Sequence, residues 1–128
     1  MNTKLKITLA VVAGAALGAT AMQGLHAQTK LKAYTISELE TIDPEASKAY
    51  TPLVEAAQKA AGGSRNLGTA GGRVVALEGA APKRVAITEW DSLEQGQAFY
   101  TSKAFKDLAP QRDKAVKTVR RYIVEATK

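Results

Sequence analysis

Residues 88–105 read TEWDSLEQGQAFYTSKAF. An apolar strand ends in Glu89-Trp90, and a helix begins almost at once. Ser92 is placed to cap that helix, with Gln95 three residues on completing a capping box. Gly96 and Ala98 are small enough to let the helix sit close to its neighbours, and Phe99, Tyr100 and Phe105 supply packing. The stretch is therefore first a strand-to-helix hinge. It also gathers a carboxylate, an indole, a phenol and hydroxyls, so it is the first place to look for chemistry.

Upstream, residues 84–90 (RVAITEW) form the strand that feeds the hinge, and residues 73–78 (RVVALE) read as another strand. Between them, residues 79–82 (GAAP) are a turn by their Gly and Pro. Residues 32–39 (KAYTISEL) alternate, with Ala33, Thr35, Ser37 and Leu39 on one face and Tyr34, Ile36 and Glu38 on the other. Asp43-Pro44 starts a helix, because Asp accepts backbone N–H groups and Pro fits the first helical position. Its apolar stripe is Ala46, Tyr50, Leu53, Val54, Ala57 and Ala61, and Gly62-Gly63 ends it. Pro52 lies inside and is expected to kink it or delay its regular part. Downstream, Ser102 caps a short helix carrying Phe105 and Leu108, stopped near Pro110. Residues 118–126 (TVRRYIVEA) form the last strand.

The order strand, helix, strand, strand, helix, strand predicts an α+β, ferredoxin-like βαββαβ unit: an antiparallel sheet with its helices on one face. The middle strands are apolar on both sides, so the uncovered sheet face needs a partner. Self-association through the sheet faces, a homodimer, meets that need.

The first 27 residues are read separately. Lys4 and Lys6 precede an uncharged run, Ile7 to Met22, and small residues follow. That pattern is a secretory signal peptide, cut after Ala27 with Leu25 and Ala27 in the recognition positions; a second site follows Ala21. The run is shorter and less apolar than the ~20 residues of a spanning helix. The expected organisation is thus a signal over 1–27 and one domain over 28–128, periplasmic or secreted, with no stable membrane span after cleavage. Cleavage leaves 16 basic against 12 acidic side chains, a charge of +4, and removes His26, the only histidine; there is no cysteine. A chain without His or Cys excludes Ser-His-Asp and thiol catalysis, and thiolate or imidazole metal sites. We expect no metal and no cofactor. The basic residues are interspersed and the chain is exported, so no nucleic-acid partner is expected.

The residues also resemble the domain-of-unknown-function family numbered 1330, of the dimeric α+β barrel superfamily. The resemblance spans about residues 32–126. It rests on Asp43-Pro44 with Tyr50, on Gly62-Gly63 and Gly71-Gly72, on ALEG at 76–79, on WDSLEQGQAFYTSKAFKDL at 90–108, and on Pro110 and Arg112. It implies a ferredoxin-like protomer and a dimer, and it implies no reaction. Two positions depart from the pattern. Ala70 stands where many members carry Arg, which argues against anion binding by that loop, and Ser47 stands where a second Tyr is common.

Several side chains are candidates for function. Glu89 is a candidate general base, against the plainer reading of a half-solvated strand-end carboxylate. Tyr100 is a candidate acid or hydrogen-bond donor, against simple core packing. Arg112 has the planar fork that clamps a carboxylate, against an ion pair with Glu94 or Asp107. Ser102 is a candidate ligand contact, against a helix cap. Tyr34, Tyr50, Trp90 and Tyr122 are candidates to line a cleft between helices and sheet, against plain core. Arg120 and Arg121 fall on opposite faces of the last strand, one expected to be solvated and the inward one to pair with Glu38 or Glu78. GTAGGR, residues 68–73, precedes a strand and lacks the Lys-Ser/Thr of a phosphate loop. The reading that results is a binder of a small, partly apolar or anionic molecule in the helix–sheet cleft. The alternatives are a cofactor-independent isomerase or oxygenase acting on a small carbonyl or aromatic compound through Glu89 or Tyr100, and a structural envelope protein without a ligand.

Overall fold

The computed structural model describes residues 30–65 and 71–128. The expected signal and cleavage sites, and Ala70, lie outside them. Strand β1 is Ala33–Thr41, helix α1 Pro44–Ala60, strand β2 Arg84–Trp90, and helix α2 Leu93–Thr101. Helices α3, Lys103–Asp107, and α4, Ala109–Ala115, lead into strand β3, Val116–Glu125.

The local signals act as the side chains dictate. Asp43 accepts from the backbone N–H groups of Glu45 and Ala46 at 2.9 and 3.1 Å and so caps α1. Gly62 takes the left-handed φ of +86° that ends it. Helix α1 stays continuous through Pro52. Ser92 Oγ accepts from Gln95 N at 3.2 Å, and Gln95 Oε1 returns the bond to Asp91 N at 2.9 Å, one residue before the cap. Ser102 caps α3 by accepting from Phe105 N at 3.3 Å. The chain does not stop at Pro110: Pro sits in the first turn of α4, where its missing N–H is no loss.

The sheet is antiparallel in the order β2-β1-β3 with the helices on one face, an α+β, ferredoxin-like fold. The alternation of β1 is as the sequence predicts: Ala33, Thr35, Ser37 and Leu39 are buried beneath the helices. Register then assigns Ala86, Thr88, Trp90, Arg121 and Ile123 to the same face. The opposite face carries Tyr34, Ile36, Val85, Ile87, Tyr122 and Val124.

One expected element differs. Residues 73–78 run outside the sheet, so three strands stand where four were expected. Ser64 and Glu89 exchange two backbone hydrogen bonds of 2.8 Å at the outer edge of β2, an isolated bridge, and none of the described residues from 71 to 83 pairs with that edge. Val75 and Leu77 consequently lie 63% and 96% exposed.

Two apolar clusters hold the helices to the sheet. Ala33, Trp90, Phe99 and Phe105 form one, and Tyr50, Val54, Ala115 and Val116 the other. Gly96 lets α2 approach the first: a Cβ there would run into Ile123 Cδ1 and lie 3.0 Å from Trp90 Cδ1. Gly96→Val should therefore lower the stability of the fold by about 1–3 kcal/mol through overpacking. Thermal melts of this variant beside Gln97→Val, on the exposed side of the same helix, read the difference; equal midpoints would refute the close approach.

Candidate functional site

Along the helix-facing side of β1, apolar Ala33 gives way to Thr35 and Ser37, which are buried and polar. Ser47 and Gln58 on α1 and Thr88 on β2 are buried as well. Such groups need partners. Thr35 Oγ1 accepts from Trp90 Nε1 at 2.8 Å. Gln58 Nε2 donates to Thr88 Oγ1 at 3.2 Å and to Tyr100 Oη at 3.3 Å. Its Oε1 is buried with no partner among the described residues, although Gln58 is only 2% exposed.

Two guanidinium groups reach this layer from the outer strands. Arg84 Nη1 donates to Ser47 Oγ at 3.1 Å, and its Nε is buried without a partner. Arg121 Nε donates to Ser37 Oγ at 2.8 Å and Nη2 to Thr118 Oγ1 at 3.4 Å. The Arg121 guanidinium carbon lies 4.8 Å from the Tyr100 ring centre and 5.4 Å from that of Phe105. Among the described residues, neither Arg84 nor Arg121 has a carboxylate within ion-pair distance. Burial pushes the Arg121 guanidinium below its ordinary value, with Tyr100 and Tyr50 opposing the shift.

Tyr50, on α1, is close enough to Arg121 for the two to interact electrostatically. It is 6% exposed, and its hydroxyl has no hydrogen-bond partner among the described residues. Burial raises its pKa, against the pull of Arg121, Arg112 and Arg65. Tyr50 is thus a neutral donor at ordinary pH. Tyr50 and Arg121 each act on the other, and Tyr100 acts on both.

Two open hollows meet at Arg121. One, of about 520 Å³, is lined by Phe105, Arg112, Lys117 and Thr118 among others. The other, of about 230 Å³, is lined by Thr35, Gly96, Tyr100, Tyr122 and Ile123.

The candidates named from sequence separate into two groups. Tyr50, Tyr100 and Trp90 are on the helix-facing side, with Trp90 as packing (1% exposed) and the two phenols beside Arg121. Arg112 lies over Phe105 at 5.0 Å and pairs with Asp113 at 3.1 Å, not with Glu94 or Asp107, because the start of α4 turns it toward its own neighbour. Ser102 is a cap, and lines a different hollow with Ala57 and Ala98. Tyr34 and Glu89 are on the opposite face of the sheet, where Glu89 pairs with Lys32 at 3.0 Å. Hydrogen bonds from Lys32 to Asp91 and Glu89 hold that ammonium above its ordinary value.

The inward arginine of β3 is Arg121, and it does not pair with Glu38 or Glu78. Glu38 faces the other way and takes Arg120 instead, at 2.6 Å. Gln58, Thr88, Arg84 and Ser47 were not singled out from sequence as cleft residues. Parity was the available signal for Arg121: Ile123 faces inward, so Arg121 does too. Among the described residues no helix is long and apolar enough to cross a membrane, and no His, Cys, Asp and Glu cluster could hold a metal ion.

The model of the family described as a domain of unknown function, DUF1330, matches residues 32–127. The chain belongs to that family. Among solved structures, a methylated form of the RPA0582 protein is similar at a TM-score of 0.59 with 15% identity, covering 85% of this chain and 90% of that one. The RPA0582 protein of unknown function from Rhodopseudomonas palustris has a TM-score of 0.54 with 16% identity, covering 85% and 92%. A putative antibiotic biosynthesis monooxygenase from Chloroflexus aurantiacus has a TM-score of 0.42 with 15% identity, covering 76% and 94%. A search of curated proteins finds no relative. The likenesses to RPA0582 extend to the fold.

Burial of Tyr50 has a sign that can be measured. Its pKa is higher in the folded chain than in the unfolded one, where it is ~10. The contribution is fully present below that value. As pH rises past it the unfolded state loses its proton first, and stability falls. The Tyr50→Phe protein should lack this part of the alkaline loss. Chemical denaturation from pH 8 to about 11.5 tests it, and identical slopes in the two proteins would contradict the burial.

Proposed function

We propose that this member of the DUF1330 family is an exported protein that binds a small anionic, partly apolar molecule in the cleft between helices and sheet. One observation carries the reading. Arg121 is half-buried on the helix-facing side, held by two hydroxyls and two aromatic rings, with no carboxylate at ion-pair distance among the described residues; Tyr50, whose hydroxyl has no hydrogen-bond partner among them, is close enough to interact with it electrostatically. A partly desolvated charge without a counter-charge has lost hydration that hydroxyls and rings replace only in part. An anion entering from the hollows at Arg121 would supply the rest. The acid–base alternative loses one of its two residues from the cleft, since Glu89 lies on the other face.

A homodimer through the outer sheet faces belongs to the same proposal. The apolar residues of that face support it, with Tyr122 and Val124 each more than 40% exposed, as does the exposed run at Val75 and Leu77. Export rests on the sequence of residues 1–27.

A panel of small organic acids should raise the thermal midpoint of the mature protein. Ligand at a hundred times its Kd adds about 2.7 kcal/mol to the stability of a protein that binds it only when folded. Arg121→Gln should abolish the rise. An equal rise in that variant would remove Arg121, and with it the reading. Native mass spectrometry of protein from the host envelope tests the rest: a dimer beginning at Gln28 is expected, a monomer would sink the sheet-face pairing, and an intact Met1 would sink cleavage.

A further inference from the structure

We infer that the ligand class of this site is a monocarboxylate on a small apolar body, with the carboxylate held by the free end of the Arg121 fork and by the Tyr50 hydroxyl. The inference rests on the anion-binding reading and narrows it. A guanidinium has five N–H groups in one plane. Nε and Nη2 lie along one edge, and in Arg121 that edge is spent on Ser37 and Thr118. The end of the fork, one N–H from each of Nη1 and Nη2, has no partner among the described residues. Those two parallel donors match the two oxygens of a carboxylate. The rings of Tyr100 and Phe105 and the two hydroxyls fix the plane of the fork, so the geometry is set before a ligand arrives.

The second donor is Tyr50. Burial keeps it protonated, so it gives a hydrogen bond to an anion and does not compete as one. Tyr100 is a third: its oxygen accepts from Gln58, which leaves its proton to give. The acceptors nearby are already engaged: Ser37 Oγ and Thr118 Oγ1 by Arg121 itself, and the Asp113 carboxylate, which lines the larger hollow, by Arg112.

The body of the ligand follows from the hollow at Gly96, Tyr100 and Ile123. Its walls are mostly ring and aliphatic surface, and Thr35 there already accepts from Trp90. A polar body would lose hydration and find few partners. At about 230 Å³ the hollow is smaller than a drug-sized pocket, ~300 Å³ and up, so it suits one ring or a short alkyl chain. One carboxylate-free guanidinium at its wall calls for a single negative charge.

Isothermal titration calorimetry of the full mature protein tests this with benzoate, hexanoate, benzyl alcohol, phenyl phosphate and succinate. Benzoate or hexanoate should bind at one site per protomer, and benzyl alcohol, phenyl phosphate and succinate at least about tenfold more weakly. Arg121→Lys keeps the charge and loses the fork, and should weaken the carboxylates about tenfold or more. Tyr50→Phe should weaken them several-fold with its thermal midpoint retained. Tighter binding of phenyl phosphate or succinate, lost in Arg121→Gln, would overturn the monocarboxylate and leave the anion site standing. Full carboxylate affinity in Arg121→Lys and in Tyr50→Phe would overturn the fork and the hydroxyl. Binding of none of the acids would overturn both this inference and the anion-binding reading.

Discussion

Trp90 is the constraint on which the rest is built. It ends β2, it is the only tryptophan, and it is 1% exposed. Its indole N–H is satisfied by Thr35 on the neighbouring strand, which ties the two strands on the helix-facing side. Its ring packs 5.3 Å from that of Phe99 and 6.2 Å from that of Tyr100. Gly63 after α1 and Gly96 in α2 leave room where a Cβ would strike it. So one side chain sets the distance of α1, the seat of α2 and the pairing of β1 with β2. A buried indole holds a fold together well because it combines a large apolar area with one donor that must be answered.

That arrangement decides what the remaining interior contains. With Trp90, Phe99 and Phe105 filling one end and Tyr50, Val54 and Val116 the other, the helix-facing positions left over belong to Ser37, Thr88, Gln58 and Arg121. The chain fills them with polar groups and satisfies most of them locally. Among the described residues, Gln58 Oε1, Arg84 Nε, the Tyr50 hydroxyl and the end of the Arg121 fork have no partner. These groups belong to a layer whose helices and strands are held in place by the apolar clusters at its two ends.

The sequence made legible what short-range physics controls. Asp43, Ser92 and Ser102 each cap a helix because their side-chain oxygens reach backbone N–H groups two or three residues away. The alternation of β1 assigned its faces, because successive strand residues point oppositely. Long-range pairing was less legible. Residues 73–78 have the composition of a strand, yet they lie outside the sheet, whose described outer edge beside β2 carries only the isolated bridge of Ser64 to Glu89. Helix α4 was missed because Pro110 was read as a stop and acts as a start. In the site, Tyr50 and Tyr100 were visible as aromatics at helical spacing. Arg121 was visible only as the inward member of a pair, and the absence of its partner needed the register that turns Glu38 the other way.

Arg120 and Arg121 make the functional argument in miniature. They are adjacent, chemically identical and on the same strand. Arg120 faces outward and has Glu38 at 2.6 Å and the Tyr122 ring at 5.7 Å. Arg121 faces inward and is half-buried, and among the described residues it has hydroxyls and rings but no carboxylate at ion-pair distance. If the interior served packing alone, a methionine or leucine at 121 would fill the volume without a desolvated charge, and such replacements of buried ions are often neutral or stabilising. At 121 the chain instead holds a half-buried guanidinium in place with hydroxyls and rings, and the anion-binding proposal rests on that choice. Glu38, on the neighbouring strand, completes Arg120 and cannot reach Arg121, because it faces the other way.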